Sequence, residues 1–435
     1  MASASTTPLR REIGVFGAMM MGLGSIVGTG VFVSIGLAAE VAGPSVLVAI
    51  ALASLVAICN GLSSAQLAAN HPVSGGTYAY GYRWLNPRLG FTAGWMFLCA
   101  KTASAATAAL GFAGYLLNAT GGDPHKLLSP VALITLAVLT AIVLTGIKRT
   151  SRANIAIVMV TLLSLKFFIV AGLPTALSHA DKNLSSFFGG HSHGSFGLLQ
   201  ATALMFVAYT GYGRIATLGE EVKEPQRTIP RAIIATLIAS MALYVGVALV
   251  GVSAVGAEAY GQATRLHVAP LEVIASEFGV PGASAILTVG AMTAMLGVLL
   301  NLLLGLSRVL LAMGRQGDMP GVLAMVSRRT GDPWVATLIV AIVIAGLVLL
   351  DDVSLTWSFS AFTVLIYYAL TNLCALRLPQ QQRLFPIWPA YFGLVACLFL
   401  AFWVDWRVWL TGIALIAAGG LWQALALRIR SQDAP

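Results

Sequence analysis

Charge is what this sequence has least of. Only 9% of its 435 residues are Asp, Glu, Lys or Arg, while 58% are apolar. A water-soluble domain carries about 25% charged residues, so this chain cannot cover a soluble surface. It reads as an integral membrane protein. Its apolar stretches are long and continuous rather than short and alternating, which excludes a transmembrane barrel and leaves an all-α protein.

Acids are missing where membrane chemistry would need them. None of the sixteen lies deep in a span, apart from Glu220 and Glu221 near the cytoplasmic end of the sixth. Intramembrane proteases, metal-ion transporters and carboxylate proton relays place Asp, Glu or His in their spans, so those classes are disfavoured. Histidine is confined to expected loops. His191 and His193 could touch a metal together, but no third ligand stands near them. The four cysteines (Cys59, Cys99, Cys374 and Cys397) sit in apolar stretches without pairing or metal spacing and read as small buried hydrophobes. No acid–base or metal constellation supports an enzyme, and no cofactor is implied. A channel would want rings of charge or carbonyls along a polar pore, and the spans carry too few polar residues for that.

What is present is a series of apolar windows. They fall at 14–39, 45–68, 90–117, 129–147, 153–177, 196–219, 231–256, 283–313, 335–350, 354–376, 386–404 and 407–428. These predict twelve spans in one transmembrane domain over 1–435, with both termini on one side. Arg10 and Arg11 precede the first window as in a secretory signal, but the run is too long and its glycines are misplaced for one. With the termini inside, nineteen basic residues fall on the cytoplasmic side. Only Lys126, Lys182, Arg265 and Arg407 fall outside. This bias predicts a multi-pass protein of the cytoplasmic membrane with both termini cytoplasmic. The net charge of +9 is then a topology signal and does not point to nucleic acid.

The first window contains GLGSIVGTGVF (22–32), with glycine at 22, 24, 28 and 30. Each glycine costs about 1 kcal/mol relative to alanine in a helix interior, so the helix should open between Ile26 and Gly30. Gly24 and Gly28 also form a GxxxG, which tight helix packing would explain. The sixth window repeats the interruption in LMFVAYTGYGRI (204–215), around Gly211 and Gly213. Paired interruptions in the two halves of a transporter point to a midplane site. Freed backbone groups cannot face lipid unpaired and persist where they line a cavity. A zwitterion with one carboxylate and one ammonium fits the two poles that such breaks create.

GLGSIVGTGVF resembles the first-span signature of the amino acid–polyamine–organocation (APC) superfamily. Four more stretches resemble that family in order: PVSGGTYAYGYRWLNPRLGFTAGW (72–95), FVAYTGYGRIATLGEEVKEPQRTIPRAI (206–233), LSRVLLAMGRQGDMP (306–320) and YYALTNLCALRL (367–378). The resemblance implies the LeuT-type fold with discontinuous helices 1 and 6. The inverted repeats would be 14–177 and 196–376, with two peripheral helices over 386–428. It places the substrate carboxylate on N–H groups near Thr29 and Gly30, the Thr29 hydroxyl available to help, within a binding stretch that includes Val27 and Gly28. The α-amino group would meet carbonyls of Ile26, Val207, Ala208 and Thr210. Where the family commonly has Asp, this chain has Gly213, followed by Arg214.

Two lysines lie within spans. Lys166, in VTLLSLKFFIVAG, stands near the middle of the fifth, and a cation at that depth usually marks function. By resemblance it would take the place that sodium has in sodium-coupled relatives, bridging the first break near the Gly24 carbonyl and the eighth span. Proton coupling would follow, or a fixed positive strut in an exchanger. Lys101, in the third span, is a secondary candidate for lining the cavity, with close packing as its plainer explanation. Tyr209 and Tyr367 are further candidates, and the neighbouring Tyr368 is weighed with Tyr367. Together these point to a secondary transporter of amino acids, sodium-independent and proton-coupled. Obligate exchange is the alternative, and a polyamine or organocation transporter a more distant one. The partners expected are the amino acid, H+ and the bilayer, and no partner subunit is indicated.

Overall fold

A computed structural model describes residues 13–72, 75–145, 151–185, 194–216, 222–267, 269–327 and 333–432. Helix lies in every apolar window. The first holds three pieces, α1 (Val15–Ile26), α2 (Thr29–Phe32) and α3 (Ser34–Ala42), followed by α4 (Val46–Asn70). A short helix outside the windows, α5 (Thr77–Trp84), leads to α6 (Pro87–Thr120), α7 (Pro124–Leu144) and α8 (Ser151–Asn183). The next stretch comprises α9 (Gly194–Tyr209), a 3-10 turn over Thr210–Tyr212, α10 (Gly213–Ala216) and α11 (Pro225–Val255). Two more short helices, α12 (Ala257–His267) and α13 (Pro270–Ser276), precede α14 (Ala283–Gln316). The chain continues through α15 (Trp334–Val348), α16 (Val353–Leu376), α17 (Trp388–Ala401) and α18 (Trp406–Gln432). Among the described residues, eight helical stretches are long and apolar enough to cross a membrane, and α1, α15 and α17 are shorter apolar helices. No strand forms there beyond one isolated bridge between Ile13 and Val222. His191, His193, Glu220 and Glu221 lie outside the described residues.

Polar residues at the helix ends explain where the helices start. Asn86 accepts from the Leu89 N–H at 2.9 Å, with Pro87 in the first helical position of α6. Asp352 does the same for Leu355 at the start of α16, at 2.8 Å.

The core is built around α6, which lies against α14 and α16. Its middle reads KTASAATAALG (101–111), and side chains this small let neighbouring backbones approach closely. Two of the hydroxyls in that stretch, Ser104 and Thr107, are paired across the interface with α16. Ser104 and Ser360 lie 2.7 Å apart, the Ser360 hydroxyl donates to the Ala100 carbonyl at 3.0 Å, and Thr107 donates to Thr356 at 2.9 Å. In an apolar surrounding each such pair satisfies groups that lipid could not. Helices α7, α8 and α18 keep most of their surface outward. The cysteines are free, and three of the four are buried.

Candidate functional site

The first break opens where the glycines fall. Helix α1 stops at Ile26, and Val27 is extended while its N–H still reaches the Leu23 carbonyl at 2.7 Å. The Gly28 carbonyl then accepts from Val31 and Phe32, both at 3.1 Å, which starts α2. The N–H groups of Gly28, Thr29 and Gly30 reach no backbone carbonyl among the described residues. At the second break α9 tightens into the 3-10 turn instead of unwinding. The two breaks touch: a Cβ on Gly211 would overlap the Ser25 carbonyl, so only glycine lets the turn lie against α1.

Between the breaks is a narrow cavity of about 40 Å³. Six of the expected binding residues line it: Ile26, Thr29 and Gly30 from the first break and Val207, Ala208 and Thr210 from the second. Val27 and Gly28 do not line it. Ser25, Lys101, Ser104, Gly211, Val298, Leu302 and Trp357 complete its wall. A second cavity of about 370 Å³ shares Ser25, Lys101, Thr210 and Gly211 with the first. It runs along α14 to Arg308 and Ala312, past Gly75, Gly76 and Tyr367.

The carbonyls expected to hold an ammonium already have partners. The Tyr244 hydroxyl of α11 lies 2.8 Å from the Ile26 carbonyl and 3.2 Å from that of Ala208, so it bridges the two breaks. Tyr368 donates to the Thr210 carbonyl at 3.0 Å. The Thr210 hydroxyl donates to the Val207 carbonyl at 2.7 Å and accepts from the Lys101 amine at 2.8 Å. Lys101 is 8% exposed, and among the described residues no carboxylate lines its cavity. The Thr29 hydroxyl, 3% exposed, has no hydrogen-bond partner among the described residues.

Lys101 lines the cavity as expected of it, and Lys166 does not reach it. Helix α8 turns Val158, Thr161, Leu165 and Phe168 inward and Lys166 outward, so Lys166 is exposed and away from the cavity. One residue advances a helix by about 100°, and that step separates Lys166 from the buried Leu165. Gly24 lines neither cavity. Lys101, the secondary candidate, is the one at the breaks. Tyr209 is buried against α4, its hydroxyl 3.5 Å from the Ile50 carbonyl, and lines neither cavity. Tyr367 lines the larger one, its hydroxyl accepting from the Thr77 N–H at 3.3 Å.

A helical membrane protein with a polar cavity between two apposed helix breaks belongs to the class of solute transporters and is not an enzyme. The chain is a member of the amino acid permease family of the APC superfamily, whose model matches residues 17–433. It is 38% identical to an uncharacterized transporter of Mycobacterium tuberculosis, over 98% of this chain and 94% of the relative. It is 28% identical to the branched-chain amino acid permease BcaP of Bacillus subtilis, over 93% of this chain and 90% of that one. It is also 28% identical to the vacuolar cationic amino acid transporter 4 of Arabidopsis thaliana, over 85% of this chain and 63% of that one.

Proposed function

We propose that the protein carries amino acids across the cytoplasmic membrane by alternating access around the cavity between α1 and α9. In this reading there are twelve spans of LeuT type, as inverted repeats 14–177 and 196–376 with a peripheral pair over 386–428, and both termini are cytoplasmic. The observation that carries it is the pairing of the two breaks across one cavity whose N–H groups at Thr29 and Gly30 have no backbone partner among the described residues. Such donors favour a carboxylate. Its ammonium would share the Ile26 and Ala208 carbonyls with Tyr244, because a carbonyl has two lone pairs.

Coupling in this reading is to protons and not to sodium. Lys101 is an amine without an acidic neighbour in the cavity, suited to give up and regain a proton as the substrate leaves and returns. Obligate exchange is the second reading, favoured by the bond that fixes Lys101 to Thr210. Labelled amino acids offered to proteoliposomes distinguish these readings. Uptake driven by an inward proton gradient supports symport, and uptake that needs internal amino acid and ignores the gradient supports exchange. If no amino acid is taken up under either condition, the reading fails.

A further inference from the structure

The hydrogen-bond inventory of the cavity is one-sided. Its acceptors at the second break are engaged from within: Val207 by the Thr210 hydroxyl, Ala208 by Tyr244 and Thr210 by Tyr368. Each keeps a second lone pair, which the substrate ammonium takes in the reading above, and beyond these the wall offers donors. An ammonium has three N–H donors, and Lys101 spends one on the Thr210 hydroxyl. The Thr29 hydroxyl on the facing break is buried without a partner among the described residues. In the larger cavity Arg308 adds a cation, and among the described residues no carboxylate lines either cavity.

A zwitterion with a neutral side chain brings one carboxylate and leaves one of these two donor groups unanswered. A buried amine carries its proton at least cost beside an anion, so the ligand that suits the protonated Lys101 carries a second anionic group. Resting on the reading that this cavity holds an amino acid, we propose that its preferred substrates are amino acids with an acidic side chain, the second carboxylate pairing with Lys101. The same charges act against cationic amino acids, because like charges in a buried site repel strongly. Selectivity would then differ from what the name of the Arabidopsis relative states for that protein.

The test is binding to the full-length protein in nanodiscs, read by tryptophan fluorescence, since Trp357 lines the cavity. Glutamate and aspartate are compared with their amides, glutamine and asparagine, and with leucine and lysine. Each amide matches its acid in shape and lacks the charge, so the ratio tests the pairing without any substitution. A hydrogen-bonded charge pair should favour the acid by at least about tenfold. Lys101→Gln should bring the ratio close to one, and Lys101→Arg should preserve it. Glutamine bound as tightly as glutamate, or lysine bound more tightly than either, overturns the inference and leaves amino acid transport standing. An unchanged ratio in Lys101→Gln overturns it as well. Absence of binding and uptake for every amino acid overturns the transport reading too.

Discussion

Gly30 is where a single added carbon should do most harm. A Cβ there would stand 2.7 Å from the Ala208 Cβ, 3.0 Å from the Ala208 Cα and 3.1 Å from the Tyr244 hydroxyl. Two of these atoms belong to the backbone or are fixed to it, so no rotamer change relieves the overlap. Either α2 or α9 must shift, and Tyr244, which ties the two breaks together, must shift with it. Inserting carbon into a packed core costs about 1–3 kcal/mol. That corresponds to about a 5- to 150-fold fall in the population of the closed-packed arrangement. Gly30→Ala should therefore lower the melting temperature of the purified protein and reduce amino acid uptake in liposomes by a factor in that range. Gly420, in the middle of α18 and lining neither cavity, is the control. Nothing lies within 4 Å of a Cβ added there, so Gly420→Ala should be neutral or should stabilise by up to about 1 kcal/mol through helix propensity. Gly30→Ala protein with wild-type melting and uptake would refute the argument that the two breaks are packed against each other.

Three further outcomes follow from the geometry. Asp318, buried at the end of α14, accepts from Tyr78 at 2.7 Å and Tyr82 at 2.6 Å, which anchors α5. A hydrogen bond to a charged group contributes about 1.5–3 kcal/mol, so Asp318→Asn should raise hydrogen exchange in residues 77–84 by about tenfold or more; unchanged exchange would contradict the anchoring. Lys166→Leu should leave uptake and its proton dependence within about twofold of the parent, because an outward side chain on α8 contributes at most a few tenths of a kcal/mol to the site; a large loss would show that Lys166 reaches the breaks in another state. Burial and the neighbouring Arg83 charge push the His71 imidazole below its ordinary value of 6.5, and Arg83 donates to His71 Nδ1 at 2.9 Å. The folded chain thus resists protonation, so this contribution is complete above that value and is lost as pH falls below it. His71→Gln should flatten the acid side of the pH–melting curve, and an unaltered curve would count against it.

The broken helices were legible because glycine acts locally. Four glycines between 22 and 30, and two around Tyr212, weaken a helix wherever it packs. Six of eight expected binding residues line the cavity for the same reason: backbone openings bring their immediate neighbours with them. Tyr244 was not legible. Nothing in ALYVGVAL (242–249) marks a hydroxyl that meets carbonyls 218 and 36 residues away. Lys166 shows a different limit. Sequence position gives depth along a span, but the face requires an amphipathic pattern, and lipid is as apolar as a protein interior. Both faces of α8 are therefore apolar, with exposed Leu163 and Val170 as hydrophobic as buried Leu165 and Phe168. The short helices α5, α12 and α13 escaped because eight, eleven and seven residues fall well below the span length that apolar windows detect.

The central claim is that the space between the two breaks holds the substrate. An experimental density map of the protein with a bound amino acid that it transports tests this most directly. The account predicts density between Thr29 and Thr210, with a carboxylate oxygen within hydrogen-bond distance of the Thr29 hydroxyl and the Gly30 N–H. A ligand lodged elsewhere, with the Thr29 hydroxyl still unpartnered, would contradict it.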